Sequence, residues 1–321
     1  MTEIKIPEGV YDVVIVGGGP GGLTAGLYTS RAGMKTLLLE GNVTVSQITI
    51  TDVVENYPGL PEITGPELIT RLKDHAGSFG MEMKPEQVLS IEAENCGDIP
   101  AWKVKSDRGE YRALAMIIST GAVWRQLGIP GEKEFAGRGV SYCATCDGPF
   151  YRNSDVIVVG GGDTAVQEAL FLTKFAKKVT IVHRRDRLRA TAILQERALA
   201  NEKIEFAWDS VVEEVLGETA VTGARIRGVT KPREQREISV DGVFIFIGLD
   251  PVSDIVSGLV KVDSYGYIIA DRGMATSQAG IFACGDCVEK SFRQIINACG
   301  EGATAAYNAE LYVDELKGQS Y

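Results

Sequence analysis

The stretch that decides the fold of this chain is Tyr11-Asp-Val-Val-Ile-Val-Gly17-Gly-Gly19-Pro-Gly-Gly22. An apolar run that leads straight into a glycine turn is the βαβ opening of a dinucleotide-binding fold. Gly17 makes the tight turn, Gly19 lets the backbone approach a pyrophosphate at the helix N-terminus, and Gly22 allows close packing of helix and strand. The second strand ends at Glu40, whose carboxylate suits the hydroxyl groups of a ribose.

The same pattern returns as Asp155-Val-Ile-Val-Val-Gly160-Gly-Gly162-Asp163-Thr164-Ala165, followed by a helix and a strand that ends at His183. Gly17 to Glu40 and Gly160 to His183 each span 23 positions, so the two segments are internal copies in register. The acid of the first copy is replaced by a basic segment, which suits a 2′-phosphate and predicts NADP(H), although a solvated basic loop is the alternative. The residues predicted to bind this cofactor are Gly160, Gly162, Asp163, Thr164, His183, Arg184, Arg185 and Arg189.

A further strand and a helix are predicted after the second copy. Asp241-Gly-Val-Phe-Ile-Phe-Ile-Gly248 predicts the closing strand of the second domain, and a helix is predicted from about Gln294 to Leu316. We expect an α/β fold with two Rossmann-like three-layer dinucleotide-binding domains, the second inserted into a discontinuous first. The predicted domains are 1–122 and 248–321 for the first and 123–247 for the second. Glycine at both crossovers, Gly121 and Gly248, would let the domains turn.

A thiol pair, Cys143 and Cys146, lies directly before the second glycine loop and is followed by Asp147. Two cysteines at this spacing form either a redox couple or half of a metal site. A structural zinc site needs four ligands, and the chain has only two histidines, so we expect no metal. A dithiol placed between two dinucleotide signatures favours electron transfer to sulfur.

Length and charge limit the remaining possibilities. At 321 residues the chain exceeds one ordinary domain, and its net charge of −10 argues against nucleic acid or anionic lipid as a partner. No apolar run reaches the ~18 residues that span a bilayer, and the first residues lack the apolar core of a signal peptide. We therefore expect a cytoplasmic protein that does not bind membranes.

Taken together, these motifs resemble the low-molecular-weight thioredoxin reductases over almost the whole chain. The most specific match is Cys143-Ala-Thr-Cys146-Asp147-Gly148, and the others are the arginine segment after His183, Cys284-Gly-Asp286 with the following Arg293-Gln294, and residues 54–59. The resemblance implies FAD in the first domain. The residues implied to hold it are Gly17, Gly19, Gly22, Glu40, Gln47, Asn56, Gly285, Asp286, Arg293 and Gln294.

The resemblance also implies a mechanism. NADPH reduces FAD, FAD reduces the Cys143–Cys146 disulfide, and the dithiol reduces thioredoxin. Cys146 is implied to lie nearer the flavin, Cys143 to attack the partner, and Asp147 to exchange protons with a thiol or the flavin. The inserted domain is implied to rotate, and the chain to form a homodimer.

Three other functions are compatible with these motifs. The flavoprotein subunit of alkyl hydroperoxide reductase carries a similar thiol motif but needs an additional N-terminal region, and the partner could also be another thioredoxin-like protein. Outside the enzymes, the alternative is a flavin-binding redox sensor that signals through partner contacts and does not turn over a substrate. Cys284 and Cys287 repeat the Cys-x-x-Cys spacing, for which a second redox pair or a four-cysteine metal site are the alternatives; we expect buried packing beside the cofactor. Cys96 is expected to be a surface-loop thiol.

Overall fold

Two compact units make up the chain in the computed structural model, which describes residues 7–41, 48–49, 54, 56–97 and 99–318. Unit 1 consists of Met1–Val123 and Asp250–Tyr321, and unit 2 is the continuous stretch Trp124–Leu249. Both contain parallel sheets flanked by helices, which confirms the predicted α/β class with two Rossmann-like halves.

Unit 1 is built on a seven-stranded sheet in the order β3-β2-β1-β6-β5-β4, with β17 also paired to β6. The strands β3, β2, β1, β6 and β17 run parallel, whereas β4, β5 and β6 pair antiparallel. β1 is buried at all seven positions, as expected for a parallel strand covered on both faces. The strands are β1 (Val10–Val16), β2 (Thr36–Leu39), β3 (Glu82–Lys84), β4 (Val88–Cys96), β5 (Ile99–Ser106), β6 (Glu110–Ile118) and β17 (Ile281–Ala283).

The helices of unit 1 are α1 (Pro20–Arg31), α2 (Gly65–Gly77) and α6 (Ile295–Lys317). α1 starts with a proline, which needs no backbone donor there. α2 is capped by Thr64, whose Oγ1 accepts from the N–H of Glu67 at 3.2 Å. α6 ends at Gly318 in the left-handed conformation, with φ 71°.

Unit 2 is built on a five-stranded, fully parallel sheet in the order β11-β10-β9-β15-β8. A separate antiparallel sheet, β12-β13-β14, lies in the same unit and has no counterpart among the predicted elements. Its strands are β8 (Val140–Ser141), β9 (Asp155–Val159), β10 (Lys178–Val182), β11 (Ile204–Ala207), β12 (Ser210–Gly217), β13 (Val221–Gly228), β14 (Gln235–Ser239) and β15 (Gly242–Ile245). Its helices are α3 (Ala144–Asp147), α4 (Asp163–Leu172) and α5 (Ala192–Leu199).

The two connections between the units are short strands, β7 (Ala122–Trp124) and β16 (Leu249–Pro251), which pair with each other as a two-stranded sheet. The predicted crossovers at 122/123 and 247/248 lie within two residues of the bounds of the units. Across the described ranges, no helix is both long and apolar enough to cross a membrane.

Candidate redox and dinucleotide sites

The thiol pair of unit 2 is oxidised: Cys143 and Cys146 form a disulfide across α3, with their Cα atoms 5.3 Å apart. Cys143 is the N-cap of this short helix, and its Sγ accepts a hydrogen bond from the N–H of Cys146 at 3.2 Å. The Thr145 Oγ1 lies 3.3 Å from the same sulfur. Hydrogen bonds to sulfur favour the thiolate over the thiol, so the surroundings of Cys143 suit a nucleophile once the disulfide opens.

A buried carboxylate supports the segment that leads into the disulfide. Glu132 is 1 % exposed and accepts hydrogen bonds from the N–H groups of Leu127 and Gly128 at 2.9 and 2.7 Å. It also accepts from the hydroxyl of Tyr142 at 2.8 Å, and the Tyr142 ring stacks on Trp124 at 5.0 Å. Glu132 was not predicted as functional, and the only sequence signal for it is an acid placed directly after the Gly-Ile-Pro-Gly turn.

The glycine loop of unit 2 is shaped by close approaches of its neighbours. A Cβ at Gly160, where φ is 147°, would lie 2.4 Å from the carbonyl oxygen of Phe246, and one at Gly161 would lie 2.4 Å from the His183 ring. At Gly162, the N-cap of α4, nothing lies within 4 Å of the Cβ position. The N-terminus of α4 is therefore open to a phosphate group.

The predicted partners of that phosphate surround the loop. Asp163 is exposed, and its Oδ1 accepts from the N–H of Thr191 at 2.7 Å; Thr164 is exposed. The guanidinium groups of the basic segment are also exposed, and within the part of the chain that the structure describes none of them pairs with a carboxylate; they belong to Arg184, Arg185 and Arg189. Exposed arginines that directly follow His183, whose ring lies against the glycine loop, fit a phosphorylated ribose.

His183 differs from the arginines that follow it, because it is buried, with 4 % of its surface exposed. Its ring lies beneath Gly161, and its Nε2 has no hydrogen-bond partner. Burial, together with the charges of Arg189, Arg185 and Arg184, lowers the pKa of His183, so the ring is neutral at pH 7. The ring supports the loop from below, and direct contact with a cofactor stays a prediction.

The glycine loop of unit 1 repeats these close approaches. A Cβ at Gly17, where φ is 113°, would lie 2.2 Å from the carbonyl oxygen of Ser119, and one at Gly22 would lie 2.0 Å from the carbonyl oxygen of Gly17. Gly19, the N-cap of α1, is open. Glu40 lies at the end of β2, and its Oε2 accepts from the Nζ of Lys73 at 2.7 Å.

Four other predicted residues of unit 1 lie around the start of α6. The Asn56 Nδ2 donates to the Gln294 Oε1 at 3.1 Å. Arg293 stacks over the Tyr267 ring at 4.3 Å, donates from Nη1 to the carbonyl oxygen of Lys290 at 3.0 Å, and has a buried Nε without a partner. Burial raises the pKa of the Asp286 carboxyl, while the charges of Lys290 and Arg293 oppose that rise. An unpaired buried donor beside a partly buried acid fits a polar ligand such as the ribityl chain and phosphates of FAD. Of the two remaining predicted residues, Gly285 directly precedes Asp286 and is buried, and Gln47 lies outside the described residues.

The other cysteines are free and buried, namely Cys96, Cys284, Cys287 and Cys299. Cys96 is the last residue of β4 and is 8 % exposed, so the expectation of a surface-loop thiol is wrong: its side chain joins the core beneath the sheet. The Cys287 Sγ donates to the carbonyl oxygen of Cys284 at 3.3 Å. Among the described residues, no group of three or more His, Cys, Asp or Glu side chains is placed to hold a metal ion.

Comparisons with known proteins show the family of the chain. Residues 11–302 match the model of the pyridine nucleotide-disulphide oxidoreductase family. The thioredoxin reductase of Peptoclostridium litorale is 48 % identical over 319 residues, covering 96 % of this chain and 99 % of that protein. The thioredoxin reductase of Bacillus subtilis is 47 % identical over 311 residues, covering 97 % of each chain.

Solved structures give the same result. The crystal structure of thioredoxin reductase from Streptococcus pyogenes matches with a TM-score of 0.90 at 45 % identity, covering 96 % of this chain and 100 % of that one. The thioredoxin reductase from Giardia duodenalis matches with a TM-score of 0.87 at 37 % identity, covering 94 % and 98 %.

Proposed function

The chain belongs to the pyridine nucleotide-disulphide oxidoreductase family, and from this premise we propose that it acts as an NADPH-dependent thioredoxin-disulfide reductase. The observation that carries the proposal is the Cys143–Cys146 disulfide, whose two residues are partly exposed while every other cysteine is buried. A disulfide that both a reductant and a protein substrate must reach needs this accessibility.

Unit 1 is the proposed FAD-binding unit. The N-terminus of α1 at Gly19 would receive the pyrophosphate, and Glu40 the ribose of the adenosine half. Asp286, Arg293 and the Asn56–Gln294 pair would hold the ribityl and flavin half, with Gln47 as a further predicted contact. When bound, FAD would supply the two-electron chemistry that joins nicotinamide to disulfide.

Unit 2 is the proposed NADPH-binding unit. The open N-terminus of α4 would receive the pyrophosphate of NADPH, beside Asp163 and Thr164. The three exposed arginines, Arg184, Arg185 and Arg189, would bind the 2′-phosphate, which is the group that distinguishes NADPH from NADH. His183 would fix the loop between these two contacts.

The proposed exchange with thioredoxin is a pair of thiol–disulfide substitutions. The Cys143 thiolate attacks one sulfur of the substrate disulfide, forming a mixed disulfide and releasing the other substrate sulfur as a thiolate. Cys146 then attacks Cys143, which restores the intrachain disulfide and releases the second substrate sulfur. Asp147, which follows Cys146 directly, is the proposed proton exchanger. Because the reduction potential of thioredoxin is about −270 mV, the Cys143–Cys146 couple of this chain needs a similar reduction potential.

The deciding experiment is reduction of a thioredoxin by the purified chain with NADPH as electron donor. We expect a yellow protein whose turnover falls to background in Cys143→Ser and in Cys146→Ser, because neither variant can form the disulfide. Cys96→Ser, which replaces a buried thiol of unit 1, is the control and keeps turnover. A colourless protein, or full activity in either active-site variant, would contradict the proposal.

We also propose a cytoplasmic homodimer, as the resemblance implies. Light scattering on the purified protein checks the oligomeric state, and twice the mass of a single chain is the expected result.

A further inference from the structure

A group of partly buried polar side chains lies behind the Gly285–Asp286 corner of unit 1. We call it the corner cluster, and it consists of Glu301, Lys290 and Asn297. The Glu301 Oε2 accepts from the N–H of Gly285 at 2.8 Å and from the Nζ of Lys290, and its Oε1 accepts from the Nδ2 of Asn297 at 3.0 Å. The side chains of Lys290 and Glu301 are only 9 % and 15 % exposed.

Glu301 is the common acceptor of this cluster. Gly285 has φ 76°, so the chain turns sharply just before Asp286, and its N–H points at Glu301. A buried N–H without an acceptor and a buried ammonium without a counter-charge are both costly. Removing the carboxylate would therefore release the corner and leave Lys290 unpaired.

The corner also carries the groups assigned above to the cofactor. Asp286 is the residue next to Gly285, and the carbonyl oxygen of Lys290 accepts from Arg293, whose guanidinium stacks on Tyr267. Glu301 thus holds, through one backbone N–H and one ammonium, the two segments that place Asp286 and Arg293. None of the residues predicted from sequence lies in the corner cluster.

We propose that Glu301 is a positioning residue for FAD: it fixes the Gly285–Asp286 corner and Lys290, and thereby the surface that unit 1 presents to the ribityl and flavin half of the cofactor. This inference rests on the proposed function, which assigns FAD to unit 1. Glu301 would act on the cofactor through the backbone N–H of Gly285, which it holds in place.

The test is release of FAD from the purified full-length chain, followed by the rise in flavin fluorescence on dilution. Glu301→Gln keeps the volume of the side chain but removes its charge, and we expect it to weaken FAD retention about tenfold, the effect of one impaired buried hydrogen bond to a charged group. Glu315→Gln, an exposed acid on the same helix, is the matched control and retains FAD like the unaltered chain.

A second variant separates positioning from simple charge balance. Lys290→Met combined with Glu301→Leu replaces the buried ion pair with apolar side chains, a change that often leaves a fold stable. It leaves the Gly285 N–H without its acceptor, so we expect weakened FAD retention and an altered flavin absorption band, together with a small decrease in the unfolding temperature from the one unsatisfied donor.

The outcomes distinguish this inference from the function it rests on. If the unaltered chain binds no FAD, the proposed function fails, and this inference fails with it. If the unaltered chain binds FAD and both variants retain it equally well, the proposed function stands and the role of Glu301 is overturned. If Glu301→Gln weakens FAD retention but the double variant retains FAD fully, charge balance alone explains the effect. That result also overturns the positioning role of Glu301.

Discussion

At the scale of single residues, burial decides which of the six cysteines can react. Burial raises the pKa of the Cys284 thiol to about 12, and it also raises the pKa of Cys287 and Cys299. A thiol with a pKa near 12 stays protonated at pH 9, with only about one molecule in a thousand as thiolate. The repeated Cys-x-x-Cys spacing at 284 and 287 therefore does not repeat the chemistry of Cys143 and Cys146.

We predict that the chain, reduced with dithiothreitol and desalted, shows two rapidly reacting thiols with Ellman's reagent. The double variant Cys143→Ser/Cys146→Ser should show none. Raising the pH from 7 to 9 should add no fast thiols, because burial raises the pKa of Cys284, Cys287 and Cys299 and the side chain of Cys96 is enclosed in the core. Four or more fast thiols in the folded chain would show that the buried cysteines are accessible.

A second prediction concerns the arginine segment. Arg189→Gln should raise the KM for NADPH by roughly tenfold or more, the usual effect of losing a charge-assisted hydrogen bond, and leave the KM for NADH unchanged. Arg187→Gln is the matched control, since Arg187 is exposed in the same segment but is not among the predicted phosphate ligands. Steady-state kinetics with both nucleotides provide the measurement, and equal effects on NADPH and NADH would argue against 2′-phosphate recognition.

At the scale of secondary-structure elements, α1 and α6 meet through glycine. A Cβ at Gly302 would lie 2.2 Å from the carbonyl oxygen of Gly21, so any larger residue must push the two helices apart. Gly300, two residues earlier on α6, has nothing within 4 Å of its Cβ position. The two positions thus separate the packing requirement for glycine from its poor helix propensity.

We predict opposite effects of the same substitution at these positions. Gly302→Ala should lower the free energy of unfolding by about 1–3 kcal/mol, as expected for overpacking. Gly300→Ala should raise it by about 0.5–1 kcal/mol, because alanine loses less conformational entropy in a helix. Urea denaturation of both variants checks this, and a stable Gly302→Ala protein would mean that the helices can separate at little cost.

How far the sequence predicts each element depends on how local its signal is. Both glycine loops and their strands follow from short runs of residues, and the structure has a helix starting at Pro20 and another at Asp163. The antiparallel sheet β12–β14 and the corner cluster depend on pairings between distant residues, such as Gly285 with Glu301, for which one sequence carries no local signal. The wrong prediction for Cys96 has the same cause. Its polar neighbours in the sequence indicate a loop, whereas its burial is decided by the core packed beneath β4.

At the scale of the whole molecule, the paired connections are where the predicted turning of the two units would take place. Gly121 and Gly248 have φ of 74° and 119°, values that other residues adopt only with strain. Gly121→Ala should therefore lower kcat for thioredoxin reduction several-fold and leave FAD retention unchanged. Gly258→Ala is the matched control, with φ 78° and equally open surroundings. Equal kcat values for these two variants would show that Gly121 has no special part in turnover.

The pairing of β7 with β16 brings the two ends of unit 2 together. The N–H of Arg125 donates to the carbonyl oxygen of Gly248 at 3.0 Å, so unit 2 begins and ends at neighbouring points. We therefore expect that residues 124–249 can be produced alone, or grafted into an exposed turn of another scaffold without stretching either terminus. Such a graft would carry the thiol pair and the arginine segment into a new host as one inherited block.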